Sequence, residues 1–136
     1  MAGVFSMEIL IKKYALLSAL AGAKAAYPNE FICLLTGGRV GVDGSTNILI
    51  EDTLIPPGIM VSETMSSFSD WMIPYVEGMV GTFHSHPNGA LYPSKQDRWL
   101  FSQKGGVHLI AAEPFSVKHV ACFLGNGKKA EFRVIE

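Results

Sequence analysis

The sequence predicts an α/β (α+β) fold in which a single mixed β-sheet is flanked by helices. Apolar runs of strand length alternate with helical patterns along the chain, and Pro or Gly residues separate most of them. The chain is 49% hydrophobic and has 136 residues, so it can bury one sizeable core but has no room for two. We therefore predict a single domain that spans residues 1–136.

The first predicted element is an amphipathic helix. Apolar residues recur at helical spacing and predict a buried stripe made of Leu10, Tyr14, Leu17 and Leu20 or Ala21. A cleaved signal peptide is the competing interpretation, because Lys12 and Lys13 precede an apolar run and small residues. Glu8 and several apolar residues come before the lysines, so the positive charge begins late for a signal peptide.

The remaining elements follow from apolar runs, and turn signals set their boundaries. Strands are predicted over residues 31–36, 46–55, 60–68, 79–86, 107–112, 117–124 and 128–135, with a less regular segment over 71–75. A helix is predicted over residues 94–104, before Gly105 and Gly106. Hairpin turns are predicted at Asp43-Gly44 and Asn126-Gly127.

Composition excludes several classes of function. The formal net charge is -1, so the chain carries neither a basic nucleic-acid footprint nor a polybasic membrane patch. We expect no nucleic-acid partner and no membrane partner, because no apolar run reaches the roughly 20 residues of a spanning helix. Cys33 and Cys122 are too few for a disulfide scaffold, which fits a cytoplasmic protein, and we expect both in the core.

Two histidines in the strand over 79–86 are the first candidate site residues. Side chains at i and i+2 point to one face of a strand, so His84 and His86 are expected to lie side by side, with Val80 and Thr82 on the same face. Two imidazoles placed in this way can both bind one metal ion, at about 2.0–2.1 Å. A bare His-x-His pair is also common among ordinary packed histidines, so the pair needs a third ligand.

Asp97 is the candidate third ligand. It shares a face of the predicted helix with Leu100 and Phe101, which directs its carboxylate toward the core. An unpaired buried charge is very costly, and a cation held by the two histidines would compensate it. Two His and one Asp leave a fourth tetrahedral position open, as in catalytic zinc sites, although iron, cobalt or manganese would also accept these ligands.

Ser94 and Asp97 have a second interpretation that needs no metal. Ser-x-x-Asp at the start of a helix is typical of a capping box, in which each residue satisfies a main-chain N–H of the other. The two interpretations are compatible, because Ser94 can cap the helix and still face the site. The joint pattern, His-x-His and seven residues later Ser-x-x-Asp, is expected by chance in on the order of one in a thousand chains or fewer.

The complete pattern resembles the signature of the JAMM/MPN+ metalloproteases. The segment VGTFHSHP over residues 80–87 is similar to the family's glycine-then-HSHP strand, and Pro28-Asn29-Glu30 before an apolar run is similar to the start of its first strand. The resemblance extends from about residue 10 to about residue 124. It implies a JAB/MPN domain of cytidine-deaminase-like architecture, of the compact prokaryotic type.

The resemblance also implies roles for individual residues. His84, His86 and Asp97 would hold one zinc ion per chain, with water as the fourth ligand. Glu30 would carry a proton from that water to the leaving amine, and Ser94 would bind the oxyanion. Without the resemblance, Glu30 would be taken as a solvated acid at the start of a strand.

By resemblance, the reaction is hydrolysis of the bond after the C-terminal glycine of a ubiquitin-like modifier. An extended tail suits strand addition at a sheet edge, which we expect over residues 60–71. A zinc peptidase that trims a sulfur-carrier protein or a small peptide is an alternative, as is a non-catalytic MPN scaffold. Metal-free scaffolds usually lack a signature residue, and none is missing here. A homodimer remains open, and His108 and His119 are expected to be structural.

Overall fold

The computed structural model describes residues 7–42, 45–55 and 76–136. These residues form an eight-stranded mixed sheet and two α-helices. In chain order the elements are β1 (Ile9–Lys12), α1 (Lys13–Ala26), β2 (Ile32–Val42), β3 (Ser45–Leu54), β4 (Met79–His86), α2 (Lys95–Lys104), β5 (Val107–Ala112), β6 (Val120–Leu124), β7 (Lys129–Ala130) and β8 (Arg133–Ile135). Within the described ranges, neither helix has the length and apolar character needed to cross a bilayer.

The sheet is strongly curled. Its strand order is β7-β6-β5-β4-β2-β3-β1-β8, so β7 and β8 lie at opposite ends. Only Glu131 and Phe132 separate these two strands along the chain, and three peptide steps span at most about 11 Å. The two edges must therefore approach each other, and the last part of the chain crosses from one edge to the other.

Helix α1 packs on one face of the curled sheet, against β1, β3, β4 and β8. Its buried stripe consists of small and branched apolar residues: Ala15, Leu16, Ala19, Leu20 and Ala23. The predicted stripe is confirmed at Leu20, but it is wrong elsewhere, because Leu10 lies in β1 while Tyr14 and Leu17 are 60% and 46% exposed. The helix begins only at Lys13, and its buried face includes Ala15, Ala19 and Ala23, which the predicted stripe did not contain.

Helix α2 packs on the opposite face of the sheet. Leu100 and Phe101 from α2 form a second apolar cluster with residues of β2, β5 and β6. Strand β4 lies between β2 and β5, antiparallel to the first and parallel to the second. The C-terminal end of this central strand therefore lies beneath the start of α2, which is where the candidate site residues meet.

One side-chain orientation in β4 differs from the prediction. In the pairing with β2, Leu35 faces Gly81 but the next residue, Thr36, faces Met79. Val80 is thus an extra residue at a bulge, and it packs with the α1 cluster rather than on the face of the histidines. The bulge lies upstream of Thr82, so the alternation from Thr82 to His86 is undisturbed.

Most predicted elements are present, and the differences concern their bounds and their pairing. The strands over 79–86 and 107–112 have the predicted bounds, and the helix predicted over 94–104 is Lys95–Lys104, with Ser94 as its N-cap. The hairpin of β2 and β3 is confirmed by their antiparallel pairing up to Val42 and Ser45. The predicted strand over 117–124 instead begins with a 3-10 turn, Val117–His119, and the one over 128–135 is divided into β7 and β8. The expected strands over 60–68 and 71–75 and the substrate edge over 60–71 lie outside the described residues.

Candidate metal centre

Three predicted site residues converge at the junction of β4 and α2. Nε2 of His84 lies 3.0 Å from Oδ1 of Asp97, and Nε2 of His86 lies 2.9 Å from Oδ2. One possible ligand atom from each residue lies within 4.8 Å of the other two. Strand alternation places both imidazoles on the α2 face, and the first turn of α2 presents the carboxylate to them.

The start of α2 fixes the direction of the Asp97 side chain. Ser94 is the N-cap residue, and its hydroxyl accepts a hydrogen bond from the main-chain N–H of Asp97 at 3.0 Å. In return, Oδ2 of Asp97 accepts a hydrogen bond from the N–H of Ser94 at 2.8 Å. The capping box predicted from the sequence is therefore present, and it holds the same carboxylate toward the histidines.

The hydrogen bonding around His84 is incomplete without a cation. Among the residues that the structure describes, the buried atoms without a hydrogen-bond partner are Nδ1 and Nε2 of His84 and Oδ1 of Asp97. Although Nε2 and Oδ1 are 3.0 Å apart, they are not aligned as a hydrogen bond. Leaving a buried polar group unsatisfied costs about 1–3 kcal/mol. A metal ion would satisfy two of these atoms together.

The bonding of His86 supports the same interpretation. Its Nδ1 lies 3.0 Å from the carbonyl oxygen of Ala90. A carbonyl can only accept a hydrogen bond, so Nδ1 carries a proton. In a neutral imidazole, Nε2 then bears a lone pair. That lone pair faces a carboxylate oxygen of Asp97 at 2.9 Å. Two acceptors at this distance need a second proton or a cation between them. A histidine that binds a metal usually donates its other ring N–H to a carbonyl or carboxylate, as Nδ1 does here.

The charges of the site are arranged to hold a cation. Burial favours the neutral form of Asp97, but His84, His86 and the N–H of Ser94 outweigh it and hold the pKa of this carboxyl well below its usual range. Burial also lowers the pKa of His86, yet the hydrogen bond and charge of Asp97 leave the pKa of this imidazole above its ordinary value. The site thus contains an ionised carboxylate that is removed from water.

Glu30 borders a cavity together with two residues of the cluster, His86 and Asp97. The cavity has a volume of about 460 Å³, and its walls include Glu30, His86, Ser94 and Asp97. Glu30 is only 8% exposed, and its negative charge contributes to the raised pKa of His86. His84 is fully buried behind this wall. All five predicted site residues are therefore brought together.

Some residues of the cavity were not predicted from the sequence. Tyr92 and Gln96 line its walls, and Ala90 orients His86 through a main-chain carbonyl. A carbonyl contact leaves no side-chain pattern that a sequence could reveal. Gln96 could have been found, because it lies one residue before Asp97 in the first turn of the predicted helix.

The other histidines and the cysteines are structural, as predicted. The Nε2–H of His108 donates to the carbonyl of Gly105, so Nδ1 is the acceptor for the hydroxyl of Thr82 at 2.7 Å. Nδ1 of His119 lies 2.6 Å from the hydroxyl of Ser116. Cys33 and Cys122 are free and buried, and burial raises the pKa of each thiol to about 12. These thiols are therefore protonated and unreactive at neutral pH.

Comparisons with known proteins agree with this fold and site. The family described as prokaryotic homologs of the JAB domain matches residues 12–124. A "probable metalloprotease" from Haloferax volcanii is 34% identical over 121 residues, which cover 87% of this chain and 74% of that protein. The matched region contains all five site residues.

Two solved structures share the fold along nearly their whole length. A JAB1/MPN domain protein from Archaeoglobus fulgidus superposes with a TM-score of 0.70 at 26% identity, covering 94% of this chain and 98% of that one. A structure described as a metalloprotease-like JAMM zinc site in the proteasome and signalosome superposes with a TM-score of 0.66 at 26% identity, covering 95% and 99%.

The curled mixed sheet with its buried His-His-Asp cluster is of the metalloprotease-like JAMM class. The chain belongs to the JAMM/MPN+ family, among the prokaryotic homologues of the JAB domain. Its relatives support a hydrolase, and the three-residue cluster is its candidate metal site.

Proposed function

We propose that the protein is a zinc-dependent isopeptidase that hydrolyses the bond after the C-terminal glycine of a ubiquitin-like modifier. The observation that carries the proposal is the set of unpaired ligand atoms on His84 and Asp97, next to a cavity that Asp97 and a buried Glu30 line. Both cysteines are free thiols, which supports a place in the reducing cytoplasm.

His84, His86 and Asp97 are the residues that would hold zinc. Two imidazole nitrogens and one carboxylate oxygen suit this ion, and three protein ligands leave a position for water or substrate. When bound, zinc supplies a Lewis acid that polarises a carbonyl and lowers the pKa of water to about 7.

Glu30 has the position and the chemistry of a proton carrier. Its carboxylate borders the same cavity as His86 and Asp97, and burial keeps it away from competing bulk water. It would take a proton from the attacking water and deliver it to the departing amine, because an amine leaves only when protonated. A positioned group of this kind contributes about 10²–10⁴-fold to the rate.

Ser94 would stabilise the negative charge that develops on the substrate oxygen. Its oxygen already accepts the N–H of Asp97, but a serine hydroxyl keeps one proton to donate. Because the capping box fixes the position of this oxygen, the donor needs no reorganisation during the reaction.

The size of the cavity favours entry of a short, extended segment of a substrate. A space of about 460 Å³ admits a few main-chain units but not a folded domain. The C-terminal tail of a ubiquitin-like protein is extended and nearly free of side chains near its last glycine, so it can enter such a cavity while the globular part stays outside.

The experiment is hydrolysis of ubiquitin-like proteins fused to a reporter through their C-terminal glycine, with zinc-loaded and with chelated enzyme. We expect cleavage after the glycine only with zinc. Glu30→Gln should retain zinc but lose at least about 100-fold in turnover. Glu131→Gln, which changes an exposed acid between β7 and β8, is the matched control and should keep full activity.

A panel of sulfur-carrier proteins and short peptides, assayed alongside the fusions, separates the alternatives. Cleavage of these substrates in preference to ubiquitin-like fusions would replace the isopeptidase proposal with a trimming peptidase. Full zinc occupancy without hydrolysis of any of them would favour a non-catalytic scaffold.

A further inference from the structure

Ser85 lies between the two histidines on β4 and makes two hydrogen bonds to one residue. Its side chain points away from the metal centre and is fully buried. The N–H of Ser85 donates to the carbonyl of Phe31 at 2.9 Å, and the N–H of Phe31 donates to Oγ of Ser85 at 2.8 Å. Both main-chain groups of Phe31 are therefore bound to this serine.

The second of these bonds replaces a regular sheet contact. In an antiparallel pair, facing residues in a hydrogen-bonded pair exchange two main-chain bonds. The regular pairing of β2 with β4 begins at Ile32 and His84. One residue earlier, the hydroxyl of Ser85 accepts the N–H of Phe31 in place of a carbonyl. The hydroxyl thus extends the hydrogen bonding between β2 and β4 to Phe31, the residue next to Glu30.

We propose that Ser85 is a positioning residue that holds Glu30 at a fixed place relative to the metal ligands. The proposal rests on the proposed function, because it explains how the proton carrier is kept in register with the histidines. Ser85 is adjacent in sequence to His84 and His86, and Phe31 is adjacent to Glu30. The two hydrogen bonds between Ser85 and Phe31 therefore connect the metal-binding histidines to the proton carrier. Each bonded residue is only one position away from a site residue.

The ring of Phe31 supports this connection from the other side. It meets the ring of Phe83 edge-to-face with centroids 6.2 Å apart, and a Cβ atom added at Gly22 would overlap it. Phe31 is therefore fixed by packing as well as by Ser85. A displacement of about 1 Å at a catalytic group can cost on the order of 100-fold in rate, so the loss of one tether should be measurable.

The test compares Ser85→Ala with Ser85→Thr in the full chain. Ser85→Ala removes the acceptor, and we expect kcat to fall on the order of 10- to 100-fold while KM and zinc stoichiometry stay close to wild type. Ser85→Thr keeps a hydroxyl and should restore kcat. In hydrogen exchange followed by NMR, the Phe31 amide should lose its protection in Ser85→Ala and keep it in Ser85→Thr.

Thr82→Val is the matched control, because it removes another buried hydroxyl from the same strand and leaves Nδ1 of His108 unpaired. It should lower stability while leaving kcat unchanged. The proposal is overturned if Ser85→Ala keeps its kcat, if zinc is lost in proportion to activity, or if Thr82→Val loses as much kcat.

Failure of the proposed function would be recognised separately. A wild-type protein that hydrolyses no substrate contradicts the isopeptidase, but the Phe31 amide and the carboxyl ¹³C shift of Glu30 still report on the tether. A Glu30 shift that is the same in Ser85→Ala and wild type, with zinc bound, overturns the positioning role.

Discussion

Ser94 and Asp97 cap each other at the start of α2: the serine hydroxyl accepts the aspartate N–H at 3.0 Å, and the aspartate carboxylate accepts the serine N–H at 2.8 Å. The same carboxylate faces both histidines. One side chain thus begins the helix and completes the candidate metal centre. Substitutions at the two positions should separate these two contributions.

Asp97→Asn should lose metal while keeping much of the cap. An amide oxygen can still accept the N–H of Ser94, but a neutral group cannot balance a buried cation. Changing a residue that only hydrogen-bonds to a metal ligand costs about 10–100-fold in metal affinity, so loss of a ligand itself should cost at least about 100-fold. Zinc titration against a competing chelator measures this. Unchanged zinc affinity would remove Asp97 from the metal site.

Ser94→Ala should weaken the helix cap while keeping the metal. Loss of an N-cap hydroxyl lowers the free energy of unfolding by about 1 kcal/mol, and the zinc stoichiometry should not change. If the hydroxyl also donates to the oxyanion, turnover should fall on the order of 10²–10³-fold. Urea unfolding and steady-state kinetics on the same preparation give both values, and Ser102→Ala, an exposed serine later in α2, is the control.

Metal binding should stabilise the folded chain. An ion that binds only the folded state adds about 2.7 kcal/mol to the free energy of unfolding at a concentration 100 times its Kd. Thermal unfolding with zinc and with chelator should therefore differ, and the difference should disappear in Asp97→Asn. An equal shift in that variant would show that zinc binds elsewhere.

Acid should destabilise the protein through His108. Burial is the main cause that lowers the pKa of this imidazole to about 3. Below pH 6.5, the ordinary pKa of an exposed histidine, His108 is protonated in the unfolded chain but stays neutral in the folded chain. The free energy of unfolding therefore decreases as the pH is lowered, by up to about 1.4 kcal/mol per pH unit. The stabilising contribution is complete above pH 6.5 and decreases toward pH 3.

His108→Gln measures this contribution, because glutamine does not titrate. Between pH 7 and pH 5, the wild type should lose about 1–2 kcal/mol more than the variant in urea unfolding. The comparison uses the pH dependence rather than absolute stability, since the variant also loses the stacking of His108 on Phe101 at 4.2 Å. Parallel pH profiles would contradict a neutral buried His108.

The sequence predicted the parts of the site that depend on local geometry. His84 and His86 are two residues apart on a strand, and Ser94 and Asp97 are three apart at a helix start, so short-range rules place each pair. Glu30 was different: its position depends on the contact of Phe31 with a serine 54 residues later. Periodicity cannot reveal such a contact, and only the family resemblance selected this glutamate.

The errors in the predicted fold also arise from contacts between residues that are far apart in the sequence. The exposed side of α1 carries Tyr14, whose hydroxyl donates to Asp52 at 2.9 Å, so an aromatic residue expected in the core is satisfied at the surface. The last predicted strand is divided because its second half pairs with β1 at the far edge of the sheet. A partner more than 120 residues away leaves no periodic signal in the strand itself.

The pairing of β8 with β1 covers a sheet edge that would otherwise be open. Without β8, the main-chain groups along Ile9–Lys12 would form an open sheet edge next to an apolar core, which another molecule could extend. The strand that covers this edge is only three residues long and begins with Arg133, which pairs with Glu8 at 3.0 Å. A short, charged outer strand is a poor template for aggregation.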